Sequence, residues 1–252
     1  MSRALAATLL VLALTAVTAG QSLRFGSRSH PIEPNPEYDG QFTFVRLRYG
    51  PPLAAVNQRI PWSHDYPDGE RHFMQIMDEV TYLRPKFVES SVLGLADPEL
   101  GRYPVAYMAE PGFWFVNDEE ALAFRAWLQK GGFVIFDDFA EDRGGWNAFA
   151  RTFQRILPGV RFYDLESSHP IFHSFFEIDS FDIVPQMYDI GRPVFRAVFE
   201  DNDPTKRMMA MINFNTDISE FWEFSSSGLL PISDANEAYK LGVNYVIYGM
   251  TH

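Results

Sequence analysis

"GGFVIFDDF", residues 131 to 139, opens on a glycine pair, runs through four apolar residues and ends on Asp137 and Asp138 ahead of Phe139. Phe133 to Phe136 show no polar alternation, which is how a strand covered on both faces reads, and such strands belong to parallel sheets flanked by helices. Just upstream, Asn117 with Glu120 three residues on predicts a capped helix through Leu122, Ala126 and Leu128, ended by Gly131 and Gly132. A glycine-ended helix feeding an apolar strand is one step of an alternating α/β fold.

The same alternation extends in both directions. "FTFVRLRY" (42 to 49) predicts a strand, and Phe73, Ile76, Met77, Val80 and Leu83 then recur at helical spacing and stop before Pro85. "KFVESSV" and Val105 to Met108 predict two further strands. Downstream, Trp146, Phe149, Phe153, Ile156 and Leu157 form a helical stripe ended by Pro158 and Gly159, and strands follow at "VRFYDL", "RPVFRAVF" and "MMAMINF". A helix from about Asp234 closes the chain. The expectation is an α/β domain with a mostly parallel sheet and helices on both faces.

Domain organisation follows from the N-terminus and the composition. Met1 to Arg3 make a short positive start, residues 4 to 19 are uncharged, and Val17 and Ala19 offer small residues for cleavage before Gly20: the pattern of a secretory signal peptide over residues 1 to 19. Residues 20 to 40, with Pro31, Pro34 and Pro36, read as an extended leader. A flexible leader of that length reaches about 25 Å, enough to hold the remaining domain, residues 41 to 252, off a membrane surface or partner. The expected location is therefore periplasmic or extracellular, with no transmembrane segment in the mature chain. A net charge of −12 repels nucleic acid, and the absence of cysteine excludes disulfides, thiolate nucleophiles and thiolate metal ligands.

In an open parallel sheet, ligands bind outside the carboxyl ends of the strands. Asp137 and Asp138 stand at such an end, with Tyr49, His64 and Asp65 after the first strand, Glu110 after "VAYM", and Asp217 after "MINFNT" at equivalent positions. Carboxylates converging on one rim suit a general acid/base pair or a small polar ligand. Because the pleat turns neighbours to opposite sides, only one of Asp137 and Asp138 faces the cleft. The expectation is that Asp137 faces it, with Glu110, Asp65 and His169 as companions, and that Asp138 caps a turn. His169 and His173 stand four apart but are interrupted by Pro170, and His64, Asp65 and His72 lack a recognised metal spacing, so no metal is assigned. No G-x-S-x-G elbow and no G-x-G-x-x-G follow a strand, so no cofactor is assigned either.

"IPWSHDYPDGERHF", "GGFVIFDDF", "SSHPIF", "NFNTDISEFWE" and "EAYKLGVNYVIYGM" together resemble the domain of unknown function called DUF4159, through nearly all of residues 41 to 252. That family looks like a bacterial branch of the class I glutamine amidotransferase-like superfamily near the ThuA-like proteins, which implies a flavodoxin-like, three-layer sheet. In such relatives the elbow after "GGFVIF" carries a cysteine nucleophile; here Asp137 and Asp138 occupy that neighbourhood, and without cysteine the thioester route is closed. The resemblance implies an envelope role, and no complete catalytic set is visible. The expected function is therefore non-catalytic binding of a small polar ligand, such as a carbohydrate, or of an envelope partner protein, at the carboxyl edge. The alternatives are a carboxylate- or metal-dependent hydrolase working through Asp137, Glu110 and His169, and a structural partner docking through aromatic surface.

Overall fold

Phe133 to Phe136 pack on two sides at once, and that sets the architecture. In the computed structural model, which describes residues 31–50, 60–142, 144–183 and 192–252, the chain runs β1 (Thr43–Arg48), α1 (Asp68–Val80), β2 (Lys86–Gly94), β3 (Val105–Ala109), α2 (Asp118–Gln129), β4 (Phe133–Phe139), α3 (Gly145–Ile156), β5 (Tyr163–Asp164), β6 (Val194–Phe199), β7 (Met208–Phe214), α4 (Ile218–Glu223) and α5 (Ile232–Thr251). The strands form a single sheet in the order β2-β1-β3-β4-β7-β6-β5. The expected signal segment and residues 20–30 of the leader lie outside the described residues.

Along β4, Phe133 and Ile135 enter a core built with α1, α4 and α5, through residues such as Phe73, Trp222 and Tyr245. Val134 and Phe136 enter a second core built with α2 and α3, through Phe124, Leu128, Phe149 and Phe153. This period-two division of one apolar strand between two layers makes the fold three-layered. Asn117 closes the predicted capping box with Glu120 at the start of α2. At its far end Gly131 lies at φ +118°, and a Cβ on Gly132 would stand 2.4 Å from the Trp127 ring, so both glycines are needed to bring the chain from helix to strand.

The pairs β2-β1, β1-β3, β3-β4 and β4-β7 are parallel, giving the strand order of a flavodoxin-like fold with its switch point between β1 and β3. The pairs β6-β7 and β5-β6 are antiparallel, so the three strands read late in the sequence form an antiparallel flank, and the run "VRFYDL" contributes only Tyr163–Asp164 to it. The six-residue α4 within "NFNTDISEFWE" has no counterpart in the periodicity reading.

Residues 31 to 40 form neither helix nor strand and are pinned to the domain: Arg71 pairs with Glu33 at 2.7 Å, and Asn35 exchanges hydrogen bonds with the backbone of Val92. That part of the leader is fastened rather than a spacer.

Candidate functional site

Asp137 keeps the parity of Phe133 and Ile135 and points into the layer of α1, α4 and α5. Its Oδ1 accepts from Asn213 Nδ2 at 2.9 Å, and its Oδ2 accepts from the Tyr107 hydroxyl at 2.9 Å and from the backbone amides of Ile218 at 3.0 Å and Ser219 at 3.2 Å. A carboxylate on the central strand thus anchors the first turn of α4. Burial, followed by the charge of Asp217, pushes the Asp137 carboxyl up to about 7, with the hydrogen bonds from Asn213 and Tyr107 acting in the opposite direction.

Asp138 leaves the pleat. The β4-β7 register shifts between Phe136 and Phe139, and Asp138 takes the left-handed conformation at φ +61°, a conformation that Asp tolerates better than most residues. Its Oδ2 thereby makes a short hydrogen bond with His64 Nδ1. The expected roles are therefore exchanged: Asp137 is the capping residue and Asp138 the one that faces the cluster. Alternation correctly requires the two to diverge, but a bulge decides which way each goes.

His64 is the hub. Its Nδ1 meets Asp138, and its Nε2 lies 3.5 Å from Asp65 Oδ1 and 3.6 Å from Glu220 Oε2. Glu110 Oε1 lies 3.8 Å from Nδ1 on the other side. One ligand atom each from His64, Asp65, Asp138 and Asp217 falls within 4.8 Å of the others, and so does one each from Asp65, Glu220 and Glu223. All but Glu223 are buried.

Donors are scarce here. The single proton of the Ser219 hydroxyl faces Asp65 Oδ2 at 2.5 Å and Asp217 Oδ1 at 3.1 Å, while the single Tyr107 proton is shared between Asp137 and the Ser219 oxygen, 2.7 Å away. Among the described residues, buried Asp65 Oδ1 meets no amide or hydroxyl donor. The energetic consequence is that the carboxylates resist ionising together. Burial, then the neighbouring Asp217 and Asp65 charges, push Glu220 up to about 10; burial, then Asp65, pushes Glu223 up to about 8; burial, then Asp65, pushes Asp217 up to about 6. Burial also opposes the Asp65 charge, yet His64 and the Ser219 hydrogen bond hold that carboxyl below its usual value.

Arg46, in β1, fixes the loop that carries His64. Its Nε and a terminal nitrogen pair with the two carboxylate oxygens of Glu70 at 2.8 and 2.7 Å, and its other terminal nitrogen donates to the carbonyls of Trp62 at 3.1 Å and His64 at 2.8 Å. The Tyr49 hydroxyl donates to the carbonyls of Ala109 and Glu110, bracing the left-handed turn at Glu110 rather than facing a ligand. Asp217 is the N-cap of α4, accepting from the amide of Glu220 at 3.0 Å. His72 Nδ1 lies 2.9 Å from the carbonyl of Trp222 and takes no part in the cluster.

His169 does not reach the site. Its ring packs on Phe199 and Tyr248, and Tyr248 packs on Phe133, the first residue of β4, so His169 sits toward the amino edge, the end of the sheet opposite Asp137. The grouping of Asp137, Glu110 and His169 is corrected accordingly: after β5 the chain turns back before reaching "HPIF". The residues that sequence reasoning did not single out are Arg46, Glu70, Tyr107, Ser219, Glu220 and Glu223. Two signals point to three of them: Arg46 between Val45 and Leu47 in the middle of the strand "TFVRLR", and Asp217, Glu220 and Glu223 at spacings of three, one helical face.

The class is thus a flavodoxin-like α/β domain with a buried, histidine-centred cluster of carboxylates at its switch point. The chain belongs to a family described as a domain of unknown function (DUF4159), whose model matches residues 43–250. Among curated proteins no match to the chain is found.

Proposed function

We propose that this chain is a non-catalytic binding domain that holds a small, positively charged ligand at the carboxyl edge of its sheet. One observation carries the reading: Asp65, Asp138, Asp217, Glu110 and Glu220 converge on His64, and Arg46, the cation packed beneath them, is already committed to Glu70. Such a set favours a cation over a neutral carbohydrate, which calls for an open aromatic platform, whereas Trp62 and Tyr66 beside the site are buried. A partner protein needs an exposed surface that this enclosed cluster does not offer. A carboxylate hydrolase on the same edge is a second reading, favoured by the Asp138-His64 pair, the geometry of a base with its orienting carboxylate.

Export also belongs to this proposal, on the basis of residues 1 to 19, as does kinship with the glutamine amidotransferase-like superfamily and its ThuA-like members, based on the strand order and the position of Asp137 and Asp138 after β4. Among the described residues no helix is long and apolar enough to cross a membrane. N-terminal sequencing of protein from the envelope fraction checks export, with Gly20 expected at the start and Met1 or Ser2 as the contrary result. The binding reading is tested by thermal denaturation of the full chain with putrescine, guanidinium, divalent metals and neutral sugars. A rise in melting temperature with cations and none with sugars is expected; stabilisation by sugars alone would overturn it.

A further inference from the structure

The cluster resolves into a geometry that fits one kind of cation. We propose that His64 Nε2, Asp65 Oδ1 and Glu220 Oε2, with the Glu223 carboxylate closing the set, form a site for one zinc-like divalent ion, and that Asp138 is the positioning residue that aims His64 at it. The proposal rests on the reading of the edge as a cation-binding site and narrows its ligand.

Three independent features agree. The first is spacing. In a tetrahedral shell with metal bonds of ~2.0–2.2 Å, neighbouring ligand atoms stand ~3.3–3.6 Å apart. His64 Nε2 lies 3.5 Å from Asp65 Oδ1 and 3.6 Å from Glu220 Oε2, too far for hydrogen bonds of ordinary strength and at the separation of two ligands on one ion. The Asp65, Glu220 and Glu223 ligand atoms fall within 4.8 Å of one another, so Glu223 stands beside two of the other three ligands.

The second feature is an unsatisfied atom. Asp65 is 3% exposed, its Oδ2 is used by Ser219, and among the described residues its Oδ1 meets no amide or hydroxyl donor: it faces His64 Nε2, with the Glu220 and Glu223 carboxyl groups beside it. A buried carboxylate oxygen without a donor is costly unless a cation meets it. Asp65 is held there by its own left-handed backbone, φ +62°, and by Arg46, which clamps the adjacent carbonyl of His64.

The third feature lies behind the imidazole. Metal-bound histidines almost always donate their other ring N–H to a carboxylate or carbonyl, which fixes the tautomer and the ring plane. Asp138 does this at Nδ1, leaving Nε2 to the ion. An imidazole with carboxylate oxygens suits zinc and its first-row neighbours, whereas magnesium prefers oxygen and retains its waters. Glu223, the partly buried member, supplies the opening to solvent.

The test is calorimetric titration of metal-stripped full chain with Zn2+, Mg2+ and putrescine, on wild type, Asp65→Asn, Glu220→Gln and Asp138→Asn, with circular dichroism to verify folding. Expected are one Zn2+ per chain, bound at least about 100-fold tighter than Mg2+, and a rise in melting temperature of roughly 5–10 °C at a hundredfold excess over Kd. Asp65→Asn and Glu220→Gln lose about 100-fold or more, and Asp138→Asn loses about 10- to 100-fold with one site per chain retained. Should one ligand variant fail to fold, the other decides. Zinc affinity unchanged in the folded variants, equal affinity for Mg2+, or no Zn2+ binding overturns the proposal. Putrescine binding without Zn2+ binding overturns it while leaving the broader cation reading intact; failure of both ligands overturns both.

Discussion

Replacing Arg46 by methionine tests how the fold supports the site. The guanidinium is 1% exposed and makes a two-pronged pair with Glu70, also 1% exposed, besides bonds to two carbonyls of the loop carrying His64. Arg46→Met removes the charge but keeps an unbranched apolar stem, leaving the Glu70 carboxylate buried and alone. Breaking a buried pair on one side costs ~3–5 kcal/mol, and each orphaned carbonyl adds up to ~1–3 kcal/mol where water cannot reach it. These contributions overlap, so the expected loss is about 4 kcal/mol, or roughly 8–16 °C in melting temperature for a domain of this size. Arg46→Met combined with Glu70→Met removes both charges and should recover at least about half of that loss, because the penalty lies in the unpaired carboxylate rather than in the missing attraction. Urea unfolding followed by tryptophan fluorescence measures both. A single-variant loss under ~1 kcal/mol, or a double variant no more stable than the single, would refute the reasoning.

Other outcomes follow from the same contacts. Asp137→Ala strips acceptors from two amides, Asn213 and Tyr107 and should cost ~3–5 kcal/mol in urea unfolding, whereas Asp138→Asn should cost less than ~1.5 kcal/mol while weakening ligand binding; the reverse ranking contradicts the exchanged roles. Gly144 lies at φ +82° with the Gly112 carbonyl 2.3 Å from where a Cβ would stand, so Gly144→Ala should cost at least ~1 kcal/mol and move the turn at Glu110. For the metal-free protein the sign of the pH dependence is fixed by raised carboxyl values. The protonated forms of Asp137, near 7, and Glu220, near 10, are favoured by the fold, so their stabilising contribution is complete below their unfolded values of ~4 and is lost as pH rises through 7 and toward 10. Its melting temperature should therefore fall between about pH 5.5 and about pH 8, and scanning calorimetry that shows a rise over that interval would contradict the burial of these groups.

Much of the frame was legible because local chemistry dictated it. The capping box at Asn117 and Glu120, the glycine pair at 131 and 132 and the apolar run of β4 each allow few structures, and each forms as read. His64, Asp65, Glu110 and Asp217 each follow a strand of a parallel sheet, which is enough to place them on one edge. The rest depended on long-range geometry. A left-handed Asp138 cannot be inferred from alternation, which presumes an unbroken pleat. Short α4 takes its start from its N-cap Asp217 and from Asp137, some eighty positions upstream, and six residues are too few for an apolar period, so only the spacing of Asp217, Glu220 and Glu223 announces it. His169 was misplaced because polarity after a strand was read as the carboxyl edge, while the antiparallel flank and the returning loop carry it to the other end.

Anomalous diffraction at the zinc edge, from crystals of the full chain grown with Zn2+, tests the central claim most directly. One strong peak is expected ~2.0–2.2 Å from His64 Nε2 and from oxygens of Asp65 and Glu220, with Asp138 still bonded to Nδ1. A peak on Asp138 and Asp217 that leaves Asp65 Oδ1 without a partner, or no peak at this edge, would contradict it.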